Sequence, residues 1–230
     1  MRTGAELERE AAAVRAVETL LSLGRDLFLG LGTGSTVEVF GRVLKERGAT
    51  SAVRAVIPTS RQSEEVARRV GLRVTGLAEC VEPDVYVDSF DLVDRSGNSV
   101  KGGGAAVTRE KVLMRASKKV VLIGDSAKLV DRLRGPVPVE VLPFAVDYLM
   151  HLFTEQRWSP KLRVGTGKVG PVVTENGNFI LDLMTGELDD AASTELYVKS
   201  IPGVVEVGIC PNRGYTVLVG AGDEVLELSR

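Results

Sequence analysis

Four short apolar runs, each followed by a polar or glycine-rich turn, constrain the fold of this chain more than any other feature. They occupy residues 27–31, 53–57, 85–88 and 119–123, and helical patterns precede or separate them. Apolar runs of this length between helices are typical of buried strands in a parallel sheet. The sequence therefore predicts an α/β fold built on a parallel sheet.

The pattern changes from residue 135 onward. Prolines 136, 138 and 143 interrupt the stretch PVPVEVLPFA and exclude a helix interior there. Beyond it, Asn176-Gly177 predicts a hairpin turn, and helices are expected near 146–153 and 191–200. We interpret residues 136–206 as a small α+β domain, while residues 1–135 and 207–230 form the main domain, to which the tail returns as a hairpin.

The composition of the 230 residues excludes several classes of partner. Lysine and arginine number 29 against 31 acids, for a net charge of −2, and aromatic residues make up 5%, so no nucleic-acid-binding surface is expected. No run is long and apolar enough to span a bilayer, and the N-terminus lacks a signal-peptide core. We expect a cytoplasmic protein with no membrane partner.

The two cysteines, Cys80 and Cys210, lie far apart in the sequence, and neither has a neighbour at the spacing of a metal site. This arrangement favours free thiols over a disulfide framework or a zinc site. We therefore expect no metal.

The first apolar run leads into the loop Gly32-Thr33-Gly34-Ser35-Thr36, which is followed by a helical pattern. The free N–H groups of a helix start, together with the hydroxyls of such a loop, can hold a phosphate without a metal. The loop lacks the lysine of the P-loop and is shorter than the dinucleotide fingerprint, so a nucleotide is not implied. The alternative is an ordinary glycine turn with a serine cap.

Charged residues of both signs surround a triple glycine after the third run. In chain order they are Asp88, Asp91 and Lys101, then Gly102, Gly103 and Gly104, then Glu110 in the first turn of a predicted helix. Carboxylates can transfer protons while an ammonium stabilises a developing oxyanion. The group therefore suits proton transfer on a polar small molecule, bound beyond the carboxyl ends of the strands.

Each of these residues also has a simpler explanation. The glycines can form a flexible turn, Asp88 can cap a turn, and Glu110 can belong to a solvated helix face. Lys128, which follows the fourth run, is either a surface lysine or another ligand group at the same edge. His151 is predicted to pack on an apolar helix face.

Seven segments of the chain, taken in order, resemble ribose-5-phosphate isomerases of the A type. They are GLGTGST at 30–36, IPTSRQSEEVARRVGL at 57–72, KGGGAAVTREKV at 101–112, GDSAKLV at 124–130, PVPVEVLPFA at 136–145, GPVVTENGNFILD at 170–182 and IPGVVEVG at 201–208. The resemblance covers nearly the whole chain, and KGGGAAVTREK followed by PVEVLPFA is its most specific part.

The resemblance implies a Rossmann-like catalytic domain that carries a smaller α+β domain. It also implies an isomerase that uses no cofactor and interconverts D-ribose 5-phosphate and D-ribulose 5-phosphate through an enediolate, in the non-oxidative branch of the pentose phosphate pathway. The partner would be a sugar phosphate, and the assembly a homodimer or homotetramer.

The resemblance further implies roles for individual residues. Glu110 matches the base that moves the proton, Lys101 the cation at the enediolate oxygen, and Asp88 and Asp91 the acids for hydroxyl protons and ring opening. The substrate-binding residues it implies are Thr33, Gly34, Ser35, Thr36, Ser89, Phe90, Gly102, Gly103, Gly104 and Lys128.

The chain departs from the family pattern at one place near the acids. Where the family usually has DGADE, this chain has Asp88-Ser89-Phe90-Asp91-Leu92. Both acids remain, but a bulky Phe90 beside the sugar would narrow the pocket or shift the turn. A family lysine near the N-terminus that contacts phosphate has no clear counterpart, although Arg9 lies nearby in the sequence.

Two other functions are compatible with these motifs. A CoA transferase on a related fold would use a glutamate near a glycine loop as a nucleophile. A non-enzymatic sugar-phosphate sensor would tolerate Ser89 and Phe90 in place of the Gly-Ala of the family's DGADE.

Overall fold

The computed structural model describes residues 3–165, 167 and 169–228. The helices are α1 (Gly4–Ser22), α2 (Ser35–Glu46), α3 (Arg61–Arg69), α4 (Val107–Ala116), α5 (Val146–Glu155) and α6 (Ala191–Ser200). The strands are β1 (Leu27–Leu31), β2 (Val53–Pro58), β3 (Val85–Ser89), β4 (Leu92–Asp94), β5 (Ser99–Val100), β6 (Lys119–Asp125), β7 (Leu129–Val130), β8 (Val137–Val141), β9 (Ser159–Leu162), β10 (Phe179–Met184), β11 (Val204–Val207), β12 (Ile209–Cys210), β13 (Thr216–Ala221) and β14 (Glu224–Leu228). Within the described ranges, no helix has both the length and the apolar character that crossing a membrane requires.

The predicted parallel sheet is present and contains all four apolar runs. Its strand order is β14-β13-β6-β3-β1-β2. Neighbouring strands from β2 to β13 pair in parallel, and β14 pairs antiparallel with β13. The α/β fold class is confirmed, and so is the return of the tail to this sheet as a hairpin.

The order of the strands reverses between β1 and β3. The chain passes from β1 outward to β2 and then comes back to place β3 on the other side of β1. In open α/β sheets, ligands bind beyond the carboxyl ends of the strands at such a reversal. The segments that follow β1 and β3 are therefore the first place to look for a site.

Helix α1 lies close to this sheet because its buried side consists largely of small residues. Ala12, Ala13 and Ala16 are buried, and the helix contacts α2, β6 and β13. On β13, a β-carbon placed at Gly220 would lie 1.9 Å from the carbonyl oxygen of Glu8. Glycine at this position thus permits the close approach of the helix.

The second unit has its own sheet and its own apolar core. Its main sheet is antiparallel with the order β11-β8-β10-β9, and α5 and α6 pack on it. Leu149 and Phe153 of α5 are fully buried in the core of this unit. The predicted hairpin turn at Asn176-Gly177 is confirmed: the N–H of Thr174 donates to the carbonyl of Asn178, and Val173 pairs antiparallel with Phe179.

The boundaries of the two units differ from the predicted domains. The first unit runs up to Phe90 and includes Arg109–Leu129 and the chain from Arg213, whereas the second comprises Asp91–Thr108 and Val130–Asn212. The difference arises because β4 and β5 pair with each other and β5 pairs with β12, in a small sheet of order β12-β5-β4-β7. These strands are two or three residues long and have no long apolar run that would reveal them.

The prediction of a packed His151 is wrong. Its side chain is 73% exposed, and its Nε2 lies 3.5 Å from Oε1 of Glu155 one turn later. Helix α5 turns the side that carries Leu149 and Phe153 into the core, which leaves His151 toward solvent.

Replacing Gly220 with alanine is expected to lower the free energy of unfolding by about 1–3 kcal/mol, because the new methyl group would overlap backbone atoms that cannot rotate away. Urea unfolding of the purified variant measures this change. Gly76→Ala is the control, since a β-carbon at Gly76 has no neighbour within 4 Å. Equal unfolding midpoints for the two variants would contradict the close approach of α1.

Candidate functional site

Asp88 is a fully buried carboxylate at the carboxyl end of β3. Its Oδ1 accepts hydrogen bonds from the N–H of Thr33 (3.1 Å) and of Ser89 (2.6 Å), and its Oδ2 accepts one from the hydroxyl of Tyr86. A β-carbon at Gly32 would lie 1.9 Å from this carboxylate. The glycine therefore makes the space in which Asp88 is oriented between β1 and β3.

The glycine loop after β1 is fixed by side chains that follow β2. The hydroxyl of Thr33 lies 2.7 Å from Oγ of Ser60 and 2.9 Å from Oγ1 of Thr59. The N–H of Gly34 donates to Oε1 of Gln62 at 2.9 Å, and Gly34 has a φ of 127°, which favours glycine. The loop is held by three residues that sequence reasoning did not assign to the site.

A cation stands beside the start of α2, which begins at Ser35 with Thr36 buried behind it. Arg9 of α1 donates from Nη1 to Oγ of Ser35 at 3.3 Å, and its Nε lies 3.2 Å from Oδ2 of Asp125. A helix N-terminus attracts anions through its free N–H groups and its dipole. This position in the first unit thus suits a phosphate group.

Lys128 and Phe90 lie together in the first unit. Nζ of Lys128 donates to the carbonyl of Phe90 at 2.7 Å and lies 5.8 Å from the centre of its ring. The ring is 1% exposed and rests on Gly124, where a β-carbon would lie 2.5 Å from its Cζ. Ser89 stays at the loop, with its hydroxyl 3.4 Å from the carbonyl of Thr33.

Glu110 lies in the first turn of α4 and is 2% exposed. The predicted helix start is confirmed. Because the side chain is buried, the alternative of a solvated helix face does not hold for this residue.

The glycine turn belongs to the second unit and begins at Lys101, which is 3% exposed. The N–H of Lys101 donates to the carbonyl of Gly208 at 2.7 Å, and a β-carbon at Gly208 would lie 2.1 Å from the carbonyl oxygen of Lys101. The backbone from which the lysine side chain extends is therefore anchored to a neighbouring strand segment.

Asp91 contacts the same turn. Its Oδ2 accepts a hydrogen bond from the N–H of Gly103 at 2.7 Å, and a β-carbon at Gly103 would lie 2.6 Å from its Oδ1. Gly104 is exposed, and the turn ends at Ala105, whose N–H donates to the carbonyl of Gly102 at 3.0 Å. The second unit thus brings Asp91 and the three predicted glycines together.

Arg163 contacts the carbonyl side of this turn and was not recognised in the sequence. Its Nη1 donates to the carbonyls of Gly102 and Gly103, both at 3.0 Å. Its Nε donates to Oδ2 of Asp182 at 2.8 Å, and its Nη2 donates to the other carboxylate oxygen. No motif signalled this contact, because about 60 residues separate the arginine from the turn.

Glu140, at the centre of β8, is a second buried carboxylate that the sequence did not reveal as special. It accepts hydrogen bonds from the hydroxyls of Thr108 and Thr174 and from the amides of Asn176 and Asn178, at 2.7–3.0 Å. Burial alone raises the pKa of this carboxyl, but the hydrogen bonds from these four residues outweigh burial and hold the pKa below its usual value.

The predicted catalytic residues are divided between the two units. Asp88 and Glu110 belong to the first unit, and Asp91 and Lys101 to the second, with the chain crossing between them after Phe90 and after Thr108. In the part of the chain that the structure describes, no three histidine, cysteine, aspartate or glutamate side chains are arranged to hold a metal ion. The available chemistry is that of carboxylates, an ammonium and hydroxyls, which suits proton transfer.

Known proteins resemble this chain over most of its length. The model of a family described as ribose 5-phosphate isomerase A (phosphoriboisomerase A) matches residues 55–224. The ribose-5-phosphate isomerase A of Archaeoglobus fulgidus is 45% identical over 198 residues, which cover 84% of this chain and 88% of the relative. That of Pyrococcus abyssi is 39% identical over 226 residues, which cover 96% and 98%.

Solved structures agree with these sequence relatives. A D-ribose-5-phosphate isomerase in complex with phospho-erythronic acid has a TM-score of 0.92 and 36% identity, with 100% of both chains covered. Ribose 5-phosphate isomerase A from Methanocaldococcus jannaschii has a TM-score of 0.89 and 33% identity, with 98% of this chain and 99% of that chain covered.

Replacing Glu140 with glutamine is expected to lower the free energy of unfolding by about 1–3 kcal/mol near neutral pH, because donors that now face a carboxylate would face an amide N–H₂. Since the folded-state pKa is depressed, the contribution of the carboxylate is present above the unfolded pKa and is lost as the pH falls through the folded pKa. The difference from the wild type should therefore shrink in acid.

Urea unfolding at neutral and acidic pH measures this difference. Glu155→Gln, at an exposed position on α5, is the control and should match the wild type at both pH values. If Glu140→Gln lowers the free energy of unfolding by the same amount in acid as at neutral pH, the carboxylate of Glu140 is not ionised in the folded state as proposed.

Proposed function

This chain belongs to the ribose-5-phosphate isomerase A family and is a ribose-5-phosphate isomerase, and we propose that Glu110 is the base of its proton transfer. The reaction interconverts D-ribose 5-phosphate and D-ribulose 5-phosphate. The hydrogen on the carbon beside a carbonyl is only weakly acidic, so the reaction needs a placed base and a positive charge at the neighbouring oxygen. Glu110 removes the proton from C2 of the aldose and returns it to C1 of the ketose.

Lys101 supplies the positive charge in this proposal. Its ammonium faces the oxygen that becomes negative in the enediolate, where a cation in a site with little water stabilises the transition state strongly. The burial of Lys101, at 3% exposure, supports this role, because a positive charge in a site with little water interacts strongly with a developing anion.

Asp88 and Asp91 handle the hydroxyl protons and the opening of the sugar ring. Support for Asp88 comes from the three donors that fix its carboxylate, since an oriented carboxylate accepts or gives a proton along one direction. Support for Asp91 comes from its hydrogen bond to Gly103, which ties the acid to the turn that follows Lys101.

The substrate phosphate binds at the loop from Thr33 to Thr36. The start of α2 and the side chain of Arg9, 3.3 Å from the hydroxyl of Ser35, both support an anion there. A relative of known structure is in complex with phospho-erythronic acid, which supports a phosphorylated sugar as the ligand. Roles for the glycine turn, Ser89, Phe90 and Lys128 in holding the sugar stay predictions.

The observation that carries these assignments is the burial of three ionisable side chains at the family's motif positions. Asp88, Lys101 and Glu110 are 0%, 3% and 2% exposed. Burying an ionisable group costs stability, and the family's motif places all three of these groups where proton transfer is proposed. Neither alternative, the CoA transferase or the sensor, is favoured by the relatives or by the described residues.

We propose a homodimer or homotetramer in the cytoplasm. The proposed location is supported by Cys80 and Cys210, which form no disulfide in the part of the chain that the structure describes and so suit a reducing compartment. The assembly is supported by an apolar patch in the second unit, formed by Leu142, Phe144 and Tyr148, which are 47%, 100% and 53% exposed. Exposed apolar patches are typical of contact surfaces between proteins.

Replacing Glu110 with glutamine is expected to slow isomerisation by about 10²- to 10⁴-fold, because the amide cannot accept the proton. The measurement is incubation with D-ribose 5-phosphate in heavy water, without metal or nucleotide. The wild type should form the ketose with deuterium at C1, while the variant should bind the sugar phosphate with similar affinity in calorimetry.

Glu64→Gln is the control, since Glu64 also lies in the first turn of a helix, α3, where it forms ion pairs with Arg61 and Arg68 on the surface. It should keep wild-type activity. A fully active Glu110→Gln variant would remove Glu110 from the mechanism.

Replacing Phe144 with glutamate is expected to lower the molar mass in sedimentation equilibrium, because a charge would enter an apolar contact between copies. Val81→Glu, at a position 77% exposed in the first unit, is the control and should leave the mass unchanged. A wild-type chain that sediments as a monomer, or a Phe144→Glu variant with unaltered mass, would refute this contact.

A further inference from the structure

We infer that Arg163, held by Asp182, is a positioning residue for Lys101 and acts through the glycine turn. The inference rests on the role proposed above for Lys101. Arg163 lies outside the motifs that carry the family resemblance, and its contacts with the turn and with Asp182 are made within the second unit.

The guanidinium of Arg163 donates hydrogen bonds to two kinds of acceptor. Nε and Nη2 face the carboxylate of Asp182, and Nη1 faces the carbonyls of Gly102 and Gly103. The two side chains are 18% and 20% exposed. A planar guanidinium that is paired on one edge with a carboxylate has little rotational freedom left, so its third nitrogen has a fixed direction.

The turn needs such support because of its composition. Three successive glycines lose more conformational entropy on ordering than any other residues, so the turn has a strong tendency to move. Gly102 has a φ of 102°, and a β-carbon there would lie 2.3 Å from Val107, so a stiffer residue is excluded. Rigidity must therefore come from contacts made by other residues.

Those contacts reach the turn from three sides. Gly208 accepts from the N–H of Lys101, Asp91 accepts from the N–H of Gly103, and Arg163 donates to the two carbonyls between and after them. Arg163 is the donor in this set that holds both carbonyls at once. Without it, the carbonyl of Gly102 keeps only the N–H of Ala105 among these contacts, and the carbonyl of Gly103 loses its donor in this set.

Its pairing explains why Arg163 acts on the turn and not on the substrate phosphate. Two of its three nitrogens are engaged by Asp182, which also compensates its charge. Lysine cannot replace it, because a single ammonium cannot hold a carboxylate along one edge and reach two carbonyls along another.

A second arginine in the same unit provides a matched comparison. Arg132 donates to the carbonyl of Leu188 and pairs with the carboxylates of Asp189 and Glu187. It is 49% exposed, and within the described part of the chain its hydrogen bonds and ion pairs include no residue of the glycine turn. The two arginines thus share carbonyl and carboxylate partners, but only Arg163 of these two donates to the turn.

The test is a double-mutant cycle between Arg163→Gln and Lys101→Met, with Arg132→Gln as the control. Arg163→Gln should lower kcat by about 10- to 10²-fold, the scale expected for misplacing a group in the active site by about 1 Å, and leave KM within about threefold. In the Lys101→Met background it should cause no further loss of kcat, because the group it positions is gone. Arg132→Gln should leave kcat and KM unchanged in either background.

The outcomes separate the two proposals. An unchanged kcat in Lys101→Met alone would overturn the role of Lys101. A normal kcat in Arg163→Gln, or a loss that multiplies fully with that of Lys101→Met, would overturn the positioning role while leaving Lys101 in place. If Arg163→Gln fails to fold, Asp182→Asn replaces it, since this variant weakens the ion pair and keeps the guanidinium. It should lower kcat, and the loss should not add to that of Lys101→Met. A loss that adds fully, or no loss at all, would again refute the inference.

Discussion

A buried carboxylate links β1 and β3, the two parallel strands between which the strand order of the first sheet reverses. Asp88, at the end of β3, accepts the N–H of Thr33 just after β1, and Gly32 leaves room for this contact. The bond fixes the start of the glycine loop, and the loop fixes the start of α2. The same interaction therefore sets both the geometry of a proposed acid and the position of a proposed phosphate site.

The second unit also holds a glycine segment in place, but with different residues. It must hold a glycine turn that has little intrinsic order, and it does so with charged side chains that are themselves saturated with hydrogen bonds. Arg163 is fixed by Asp182 before it contacts the turn, and Glu140 is fixed by four side chains, one of which is Thr108 at the start of α4. Buried charges are costly unless they are paired in this way, so each network supports a particular arrangement of the backbone.

The sequence predicted the elements that have a local signal. Buried strands such as β1 and β3 are continuous apolar runs, α4 has an acid in its first turn, and the hairpin at Asn176-Gly177 has turn residues that allow positive φ. Lys101 and Glu110 were found because they stand in a glycine motif that resembles a known family, and Asp88 was found because it ends the third apolar run. The roles assigned to them stay predictions.

The remaining features depend on contacts between distant residues. Arg163 and Glu140 could not be recognised from local spacing, since their partners lie about 20 to 60 residues away in the sequence. Helix α3 is capped by Ser60 and Ser63. The side chain of Gln62 accepts the N–H of Gly34, a contact that spacing along one helix cannot reveal.

The packing of Phe90 on Gly124 makes two distant positions interdependent. The ring fills space that exists only because residue 124 has no side chain, and a β-carbon there would lie 2.5 Å from the ring. In this chain the two positions must change together, because trimming the ring alone would leave a void and enlarging the glycine alone would create a clash.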